Sequence, residues 1–421
     1  MGNRVVVTGL GVCAPNGIGL SPFETSLAQG ISGIRFQERL KELNFSCQIA
    51  GKPDIESVDL NKYFTNLQLK GLKATGLIYG VVAGLDAWKE AGLDQNFEEP
   101  DWESGVVFGT GILGVDKFRE AVYKVDEGNV RRLGSTAVIQ TMASGISAYL
   151  GGILGAGNQV TTNSSACTTG TEAVLLGYER IASGKATRML VGSCSDSGPY
   201  VWGGFDAMRI LPTKFNENPT KASRPMSASA SGFVPGSGAG ALVLESLESA
   251  KDRGVHIFAE VLGGAVNSGG QRQGGSMTAA NSKAVQRCIS EALENASLLP
   301  NQLDAINGHL TATTKDSDEI LNWSTALGRG QKDFPFINSF KGHFGHCLAA
   351  SGSIECVGTI LQLKNNTLFG TMNCEDVHPR ILDLVDSSRI VNQTMGFKAE
   401  TIAKASFGFG DVNCCVIFKR F

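Results

Sequence analysis

The chain has 421 residues, of which 42% are hydrophobic and 18% are charged, and its formal net charge at pH 7 is −3. These values are typical of a globular enzyme with a large core, and they exclude a disordered chain. A slightly acidic chain offers no basic surface for nucleic acid, so we expect no nucleic-acid partner.

Export and membrane insertion are not indicated by the sequence. The first nine residues enter a strand pattern directly, and no run reaches the roughly 18 apolar residues that a membrane span requires. The ten cysteines include no C-x-x-C pair and lie in apolar contexts, which favours reduced thiols. We therefore expect a cytoplasmic protein that does not associate with membranes.

Hydrophobic periodicity predicts alternating strands and helices. Strands are predicted at residues 4–8, 106–108, 160–163, 188–191, 232–234, 239–244 and 257–262. Helices are predicted at residues 23–29, 72–91, 172–181 and 282–296, and an acidic solvated loop at residues 97–103. The pattern restarts near residue 255 without a Pro/Ser-rich linker, which predicts an α/β fold of two similar halves, residues 1–255 and 256–421.

A glycine-rich turn follows the strand at residues 106–108. Gly109-Thr110-Gly111-Ile112-Leu113-Gly114 matches the pattern G-x-G-x-x-G. A dinucleotide site is the weaker interpretation, because no acidic residue is well placed about 20 positions further on. We favour a turn that brings the backbone of Gly109 and Gly111 close to an active-site pocket.

Cys167 lies at a predicted corner between a strand and a helix. The N-terminus of a helix favours negative charge, so a thiol at this corner should lose its proton more easily and become nucleophilic. The flanking small and hydroxyl residues, Ser164-Ser165-Ala166 and Thr168-Thr169-Gly170, leave room for a substrate. Cys167 is therefore the candidate nucleophile, and a buried structural thiol is the alternative.

Two of the five histidines, His309 and His346, lie in loops rich in glycine and hydroxyl residues. They could assist a cysteine nucleophile, although a lone histidine in such a loop is often structural.

His343 and His346 have a spacing compatible with metal binding, but no further ligand has a recognised spacing, so we expect no metal. Lys341 has Glu319 as a candidate partner, and a solvated lysine is the alternative.

Five motifs together resemble the β-ketoacyl-[acyl-carrier-protein] synthases, the elongating ketosynthases of bacterial fatty-acid and polyketide assembly. The resemblance covers the whole chain, with the motifs in the family's order. It implies the thiolase fold, five αβαβα layers built from two duplicated halves, the first carrying the cysteine and the second the two histidines. The motifs are Val5-Val6-Val7-Thr8-Gly9-Leu10-Gly11, Ser165-Ala166-Cys167-Thr168-Thr169-Gly170, His309-x-Thr311-x-Thr313, Lys341-x-x-x-x-His346 and Ser406-Phe407-Gly408-Phe409-Gly410.

The resemblance implies a decarboxylative Claisen condensation. Cys167 would hold the acyl chain, and His309 and His346 would stabilise the enolate formed from a malonyl thioester. The backbone N–H groups of Cys167 and Phe409 would form the oxyanion hole, and Phe409 would also act as a gate. Lys341 and Glu319 would form a buried ion pair that organises the histidine loops. The substrate pocket would include Gly109, Gly111, Phe205, Thr311, Thr313 and Phe407.

Departures from the family pattern concern the substrate more than the reaction. Leu310 and Asp411 replace usual glycines, and the usual acidic residue before Gly232 is replaced within residues 227–231. We interpret them as marks of a specialised polyene, pigment or polyketide ketosynthase, with housekeeping fatty-acid elongation as the alternative. A thiolase-type enzyme and the chain-length subunit of a heterodimer are further alternatives.

The resemblance implies an acyl carrier protein as partner, because the substrates are carried on its phosphopantetheine. No cofactor of the enzyme's own is expected. The carrier is acidic, so a local basic patch should bind it; the candidates are Lys70, Lys73, Arg131, Arg132 and Arg209. The family usually forms homodimers through the strand before the cysteine, and a heterodimer with a related ketosynthase or chain-length subunit is also compatible with the sequence.

Overall fold

A computed structural model describes residues 2–94 and 98–421 and shows the alternating architecture that the sequence predicts. The strands of these residues are β1 Val5–Ala14, β2 Gly17–Ile18, β3 Ile34–Phe36, β4 Ile49–Gly51, β5 Ser104–Thr110, β6 Val160–Thr161, β7 Arg188–Ser195, β8 Gly238–Ser246, β9 Ala259–Ser268, β10 Ala305–Asn307, β11 Phe336–Asn338, β12 Thr367–Leu368, β13 Met395–Gly396, β14 Thr401–Gly408 and β15 Val412–Lys419.

The helices connect these strands, and the longer ones cover the faces of the sheets. The α-helices in the described part of the chain are α1 Leu20–Gln29, α2 Glu38–Glu42, α3 Asn66–Leu69, α4 Thr75–Glu90, α5 Val115–Asp126, α6 Ala137–Thr141, α7 Gly145–Leu154, α8 Thr169–Ala182, α9 Pro199–Ala207, α10 Leu247–Asp252, α11 Ser282–Asn295, α12 Asp316–Leu327, α13 Lys341–Phe344, α14 Ser351–Asn365 and α15 Pro379–Leu382.

The main strands run in the order β11-β10-β14-β15-β9-β1-β8-β7-β5-β6, so each half of the chain supplies one end of the path. Strand β1 joins the halves. It pairs antiparallel with β8 along most of its length, but with β9 only through residues Val5, Val6 and Val7. The boundary between the halves at residue 255 stays a prediction.

Helices on both sides of the strands complete five layers. Helices α4 and α7 cover the outer face of the first half, and α11, backed by α12, covers that of the second half. Helices α8 and α14 pack against each other between the two sets of strands, and their apolar side chains share the largest buried cluster. This is the αβαβα arrangement of the thiolase fold, as predicted.

Most predicted elements are present with shifted ends. The helix predicted at residues 72–91 is α4, and the strand predicted at residues 4–8 continues to Ala14. Residues 98–103 form bends, turns and an isolated bridge rather than a strand or helix, and Phe97 of that predicted loop lies outside the described residues. Within residues 2–94 and 98–421, every helix is too short or too polar to cross a membrane.

The strand predicted at residues 232–234 is wrong. The backbone of this segment bonds to two loops instead of to a sheet. The N–H of Gly232 donates to the carbonyl of Ala312, and the carbonyl of Val234 accepts from the N–H of His346. The segment therefore ties together the loops that carry His309 and His346.

Candidate active site

Cys167 lies in a tight turn directly before helix α8. Ala166 has a φ of 49°, a left-handed conformation that a residue with a side chain adopts rarely. Hydrogen bonds hold the turn: the N–H of Ser165 donates to Thr169 Oγ1 at 2.9 Å, and the Ser165 hydroxyl bonds to Glu172. The predicted corner is therefore present, and it presents the thiol to the central cavity.

His346 contacts the thiol directly. Its Nε2 lies 3.2 Å from Cys167 Sγ. On the other side of the ring, Nδ1 lies 3.2 Å from the N–H of Leu348 and 2.8 Å from Ser351 Oγ. Because a backbone N–H can only donate, Nδ1 must accept, which assigns the ring proton to Nε2. His346 thus points an N–H group at the sulfur.

His309 lies beside His346 on a loop that two carboxylates hold. The two ring centroids are 5.3 Å apart, with the rings nearly perpendicular at 83°. Glu319 accepts the N–H groups of His309 and Leu310, both at 2.7 Å. Asp316 accepts those of Thr311 and Ala312 at 2.9 and 3.1 Å. The first turn of α12 therefore fixes the position of His309.

The predicted ion pair between Lys341 and Glu319 is wrong. Lys341 Nζ lies 2.5 Å from Glu355 Oε1, and the other oxygen of Glu355 lies 3.0 Å from Lys404 Nζ. Each oxygen of Glu319 instead accepts a backbone N–H group of the His309 loop. Glu355 and Lys404 were missed in the sequence, and so was Asp316.

Burial and these lysines control protonation in the site. Burial is the largest influence on the pKa values of His309 and His346, and Lys341 and Lys404 lower them further, so both stay well below the usual 6.5. Burial also raises the pKa of Glu319 to about 7. Both imidazoles are therefore neutral near pH 7, each with one N–H group.

The expected lowering of the Cys167 pKa is wrong in direction. Burial raises the pKa of this thiol, while the backbone N–H of Phe409, the charge of Lys341 and its own N–H act in the opposite direction. The two backbone groups predicted for the oxyanion hole, those of Cys167 and Phe409, are thus both next to the sulfur. A Cβ atom at Gly408 would lie only 3.1 Å from the Cys167 nitrogen, which explains why this position is a glycine.

A cavity of about 670 Å³ opens at these residues. Of the predicted pocket residues, Gly111, Phe205, Thr311, Thr313 and Phe407 line it, together with Phe409. Gly109 does not line it. A methyl group at Gly109 would lie 2.3 Å from Thr169 Cγ2 and 2.5 Å from Asn163 Oδ1, so this glycine allows close packing against the cysteine turn. Residues 273–274 and 278–280 complete the cavity and were not predicted.

The thiol and two imidazoles also have the spacing of a metal site, since their ligand atoms lie within 4.8 Å of one another. The chemistry of the set argues against a cation. The Nε2 of His346 carries a proton rather than a free lone pair toward the sulfur, and ion pairs with Glu355 hold Lys341 and Lys404 nearby as positive charges. The arrangement suits hydrogen bonding to a thioester oxygen better than metal coordination.

The five predicted carrier-binding residues are all exposed. Lys73 pairs with Glu120 at 2.7 Å, and Lys124, which also contacts Glu120, donates to the carbonyl of Arg132. Lys73 and Arg132 thus belong to one connected basic cluster. Arg209 follows helix α9, whose Phe205 lines the cavity. Lys70 and Arg131 lie next to this cluster in sequence.

Comparisons with known proteins agree with this geometry along the whole chain. Residues 2–250 match the β-ketoacyl synthase N-terminal domain, and residues 258–375 match the β-ketoacyl synthase C-terminal domain. The chain is 31% identical to 3-oxoacyl-[acyl-carrier-protein] synthase 2 of Vibrio cholerae, with 99% of each chain covered.

Solved structures show the same similarity. A β-ketoacyl synthase from Burkholderia phymatum superposes with a TM-score of 0.90 at 29% identity, over 100% of both chains. AntDE:AntF, a type II polyketide-synthase carrier protein in complex with its ketosynthase bound to the hexaketide, gives a TM-score of 0.86 at 27% identity, again over 100% of both chains. Fold and comparisons define an acyl-transferring enzyme of the thiolase fold. More narrowly, the chain belongs to the β-ketoacyl synthase family.

Proposed function

We propose that the protein condenses a malonyl thioester, with loss of CO₂, onto an acyl chain carried by Cys167, and releases a β-ketoacyl thioester on an acyl carrier protein. The observation that carries this proposal is the 3.2 Å contact between Cys167 Sγ and His346 Nε2, with His309 next to it. Among the described residues that line the cavity, Cys167 is the only cysteine. A thiolase-type reaction, which usually uses a second cysteine, is therefore less well supported.

In the first step, Cys167 sulfur attacks the acyl thioester carbonyl and displaces the phosphopantetheine thiol. The new C–S bond replaces the old one, and the thiol proton ends on the released pantetheine. The N–H groups of Cys167 and Phe409 stabilise the oxyanion, where one such donor can lower the barrier by about 3 kcal/mol. The N–H of His346 stabilises the thiolate.

In the second step, the malonyl group loses CO₂, and the electron pair of the broken C–C bond forms an enolate. His309 and His346, both neutral, donate N–H groups to the enolate oxygen. The enolate carbon then attacks the acyl carbonyl on Cys167 and expels the thiolate. The balance requires no oxidant, reductant or metal, so the proposal includes no cofactor beyond the carrier's phosphopantetheine.

Fatty-acid elongation is the first candidate for the pathway. The curated relatives are named 3-oxoacyl-[acyl-carrier-protein] synthases, which supports it. A specialised polyene, pigment or polyketide enzyme is the second candidate, favoured by Leu310 and Asp411 at usual glycine positions. Product profiles from carrier-bound acyl chains of different length and unsaturation separate the two: broad turnover of saturated chains contradicts the specialised role.

The carrier protein would dock on the basic cluster near Lys73, Arg132 and Arg209. Opposite charges on carrier and enzyme would steer association. Arg131→Glu together with Arg132→Glu should raise the KM for the loaded carrier at low salt, whereas Lys332→Glu, an exposed lysine of the second half, should not. An unchanged KM in the double variant contradicts this docking site.

A partner chain would complete the sheet at β6. This strand is the last in the sheet path, and Val160 in it is exposed. An open edge next to the cysteine turn supports either a homodimer or a heterodimer with a related subunit. Native mass spectrometry after expression alone, and pull-down after co-expression with a candidate subunit, distinguish these assemblies.

The reaction itself is tested by intact-mass spectrometry of wild type and Cys167→Ala. Each is incubated with acyl-loaded carrier and then with malonyl-loaded carrier. We expect an acyl adduct on wild type only, which disappears as a β-keto product forms. An adduct on Cys167→Ala, or none on wild type with any loaded carrier, contradicts the proposal.

A further inference from the structure

Lys404 is a fully buried lysine in strand β14 to which the proposed reaction gives no role. Its Nζ lies 3.0 Å from Glu355 Oε2 and 3.4 Å from Ser406 Oγ, and it donates to the carbonyl of Ala405. These three polar partners belong to α14, which carries Glu355, and to β14 itself, which carries Ala405 and Ser406.

Lys404 leaves the buried cluster with an excess of positive charge. The single carboxylate of Glu355 pairs with two lysines: Lys341 contacts one oxygen, and Lys404 contacts the other. Burying a charge is costly, and replacing a buried ionic cluster with apolar residues often leaves stability unchanged or improved. Stability alone therefore gives no reason for a second lysine.

The positions of the two lysines relative to the histidines suggest a reason. In the parallel pairing of β14 with β10, Lys404 lies opposite Asn307, two residues before His309. Lys341 begins α13, five residues before His346. Among the described residues, the other ionisable groups around the two rings are Cys167 from the turn before α8, Asp316 and Glu319 from α12, and Glu355 from α14.

We infer that Lys404 is a positioning residue whose charge keeps His309 and His346 uncharged. The inference rests on the proposed function, in which each ring uses one N–H group. A second proton on His346 would sit on Nδ1, where it would face the N–H of Leu348 and break that hydrogen bond. The positive potential of Lys404 opposes this proton, as the lowered pKa values of both histidines reflect.

The test is a ¹⁵N NMR titration of the five histidines in the full chain, with the rings assigned through His309→Asn and His346→Asn. In wild type, both rings should titrate well below 6.5. In Lys404→Met, their midpoints should rise by about one pH unit. Lys404→Arg, which keeps the charge, should titrate like wild type, and so should Lys364→Met, which removes an exposed lysine from the end of α14.

Unchanged midpoints in Lys404→Met, or an equal rise in Lys404→Arg, would overturn the inference. So would a wild-type midpoint near 6.5 for either ring, a result that requires no variant to fold. Lys404→Gln is a second neutral variant that can still donate to the carbonyl of Ala405.

The acid limb of the pH profile of the condensation rate should shift to higher pH together with the NMR midpoints. Failure of the proposed function would appear as no acylation of wild type and leave the titration unaffected.

Discussion

Gly170 and Gly352 touch where helices α8 and α14 cross. A methyl group on Gly170 would lie 2.3 Å from the backbone nitrogen of Ser353, and one on Gly352 would lie 2.6 Å from that of Thr171. Helix α8 starts just after Cys167, and α14 starts just after the turn that carries His346. The crossing therefore sets the 3.2 Å distance between the thiol and the imidazole.

Gly170→Ala should separate the two helices. Overpacking of this kind typically costs about 1–3 kcal/mol of folding free energy, and the wider Cys167–His346 distance should slow acylation. Denaturant unfolding and the rate of adduct formation measure the two effects. Gly152→Ala is the control, because a methyl group there meets no atom within 4 Å and should stabilise α7 by about 0.5–1 kcal/mol. Wild-type acylation by a folded Gly170→Ala protein contradicts this role of the crossing.

The periodic parts of the chain were the predictable parts. Apolar spacing located α4 and α8, and β-branched runs located β1 and β5, because most residues of these elements are buried in the core. The cysteine corner followed from the same patterns. The strand at residues 232–234 failed because its backbone bonds to the loops of Ala312 and His346, and such long-range contacts leave no local pattern.

The charged cluster could not be assigned from motifs alone. Family resemblance paired Lys341 with Glu319, whereas the structure pairs it with Glu355. A signal was present: Glu355 interrupts an apolar helix, and Lys404 interrupts an apolar strand. A charge inside a buried element usually has a buried partner. Which charge pairs with which depends on how β14 and α14 meet, and this is set by the tertiary fold.

Glu319→Gln should change how stability depends on pH. The folded-state pKa of Glu319 is about 7, above the usual 4.5, so wild type loses stability as pH rises through this window. The variant has no such group. Relative to wild type, the free energy of unfolding of the variant should increase by about 3 kcal/mol between about pH 5 and about pH 8. Unfolding free energies at about pH 5 and about pH 8 test this. Exposed Glu38→Gln should parallel wild type, and a parallel Glu319→Gln profile contradicts the assignment.

Ala312→Gly should relieve backbone strain in the His309 loop. Ala312 has a φ of 63°, in the left-handed region, where a side chain costs roughly 1–2 kcal/mol. This relief should offset the greater flexibility of glycine in the unfolded chain, so the melting temperature should stay the same or rise. Ala74→Gly is the control, because Ala74 has a φ of −68° and should only lose stability. An equal drop in both variants contradicts the strain argument.

Asp411 holds the segment of residues 269–281 over the cavity. Its carboxylate accepts the N–H of Gln271 at 3.0 Å and that of Asn281 at 2.7 Å. Its carbonyl accepts the N–H of Gly269 at 2.9 Å. Because Gln273 and Thr278 of this segment line the cavity, the hydrogen bonds to Asp411 fix the shape of this side of the cavity, which we expect to be the substrate entrance.

Asp411→Asn should loosen that entrance. The amide group turns one acceptor into a donor that faces a backbone N–H, so one hydrogen bond is lost. The loss should speed amide hydrogen exchange in residues 269–281 by about tenfold and raise the KM for the malonyl carrier. Hydrogen exchange followed by mass spectrometry measures the first effect. Asp386→Asn is the matched control. Asp386 also accepts a backbone N–H, that of Ser388, but it lies in an exposed turn far from residues 269–281 in the chain. Wild-type exchange in residues 269–281 of Asp411→Asn would show that the carboxylate does not hold the entrance.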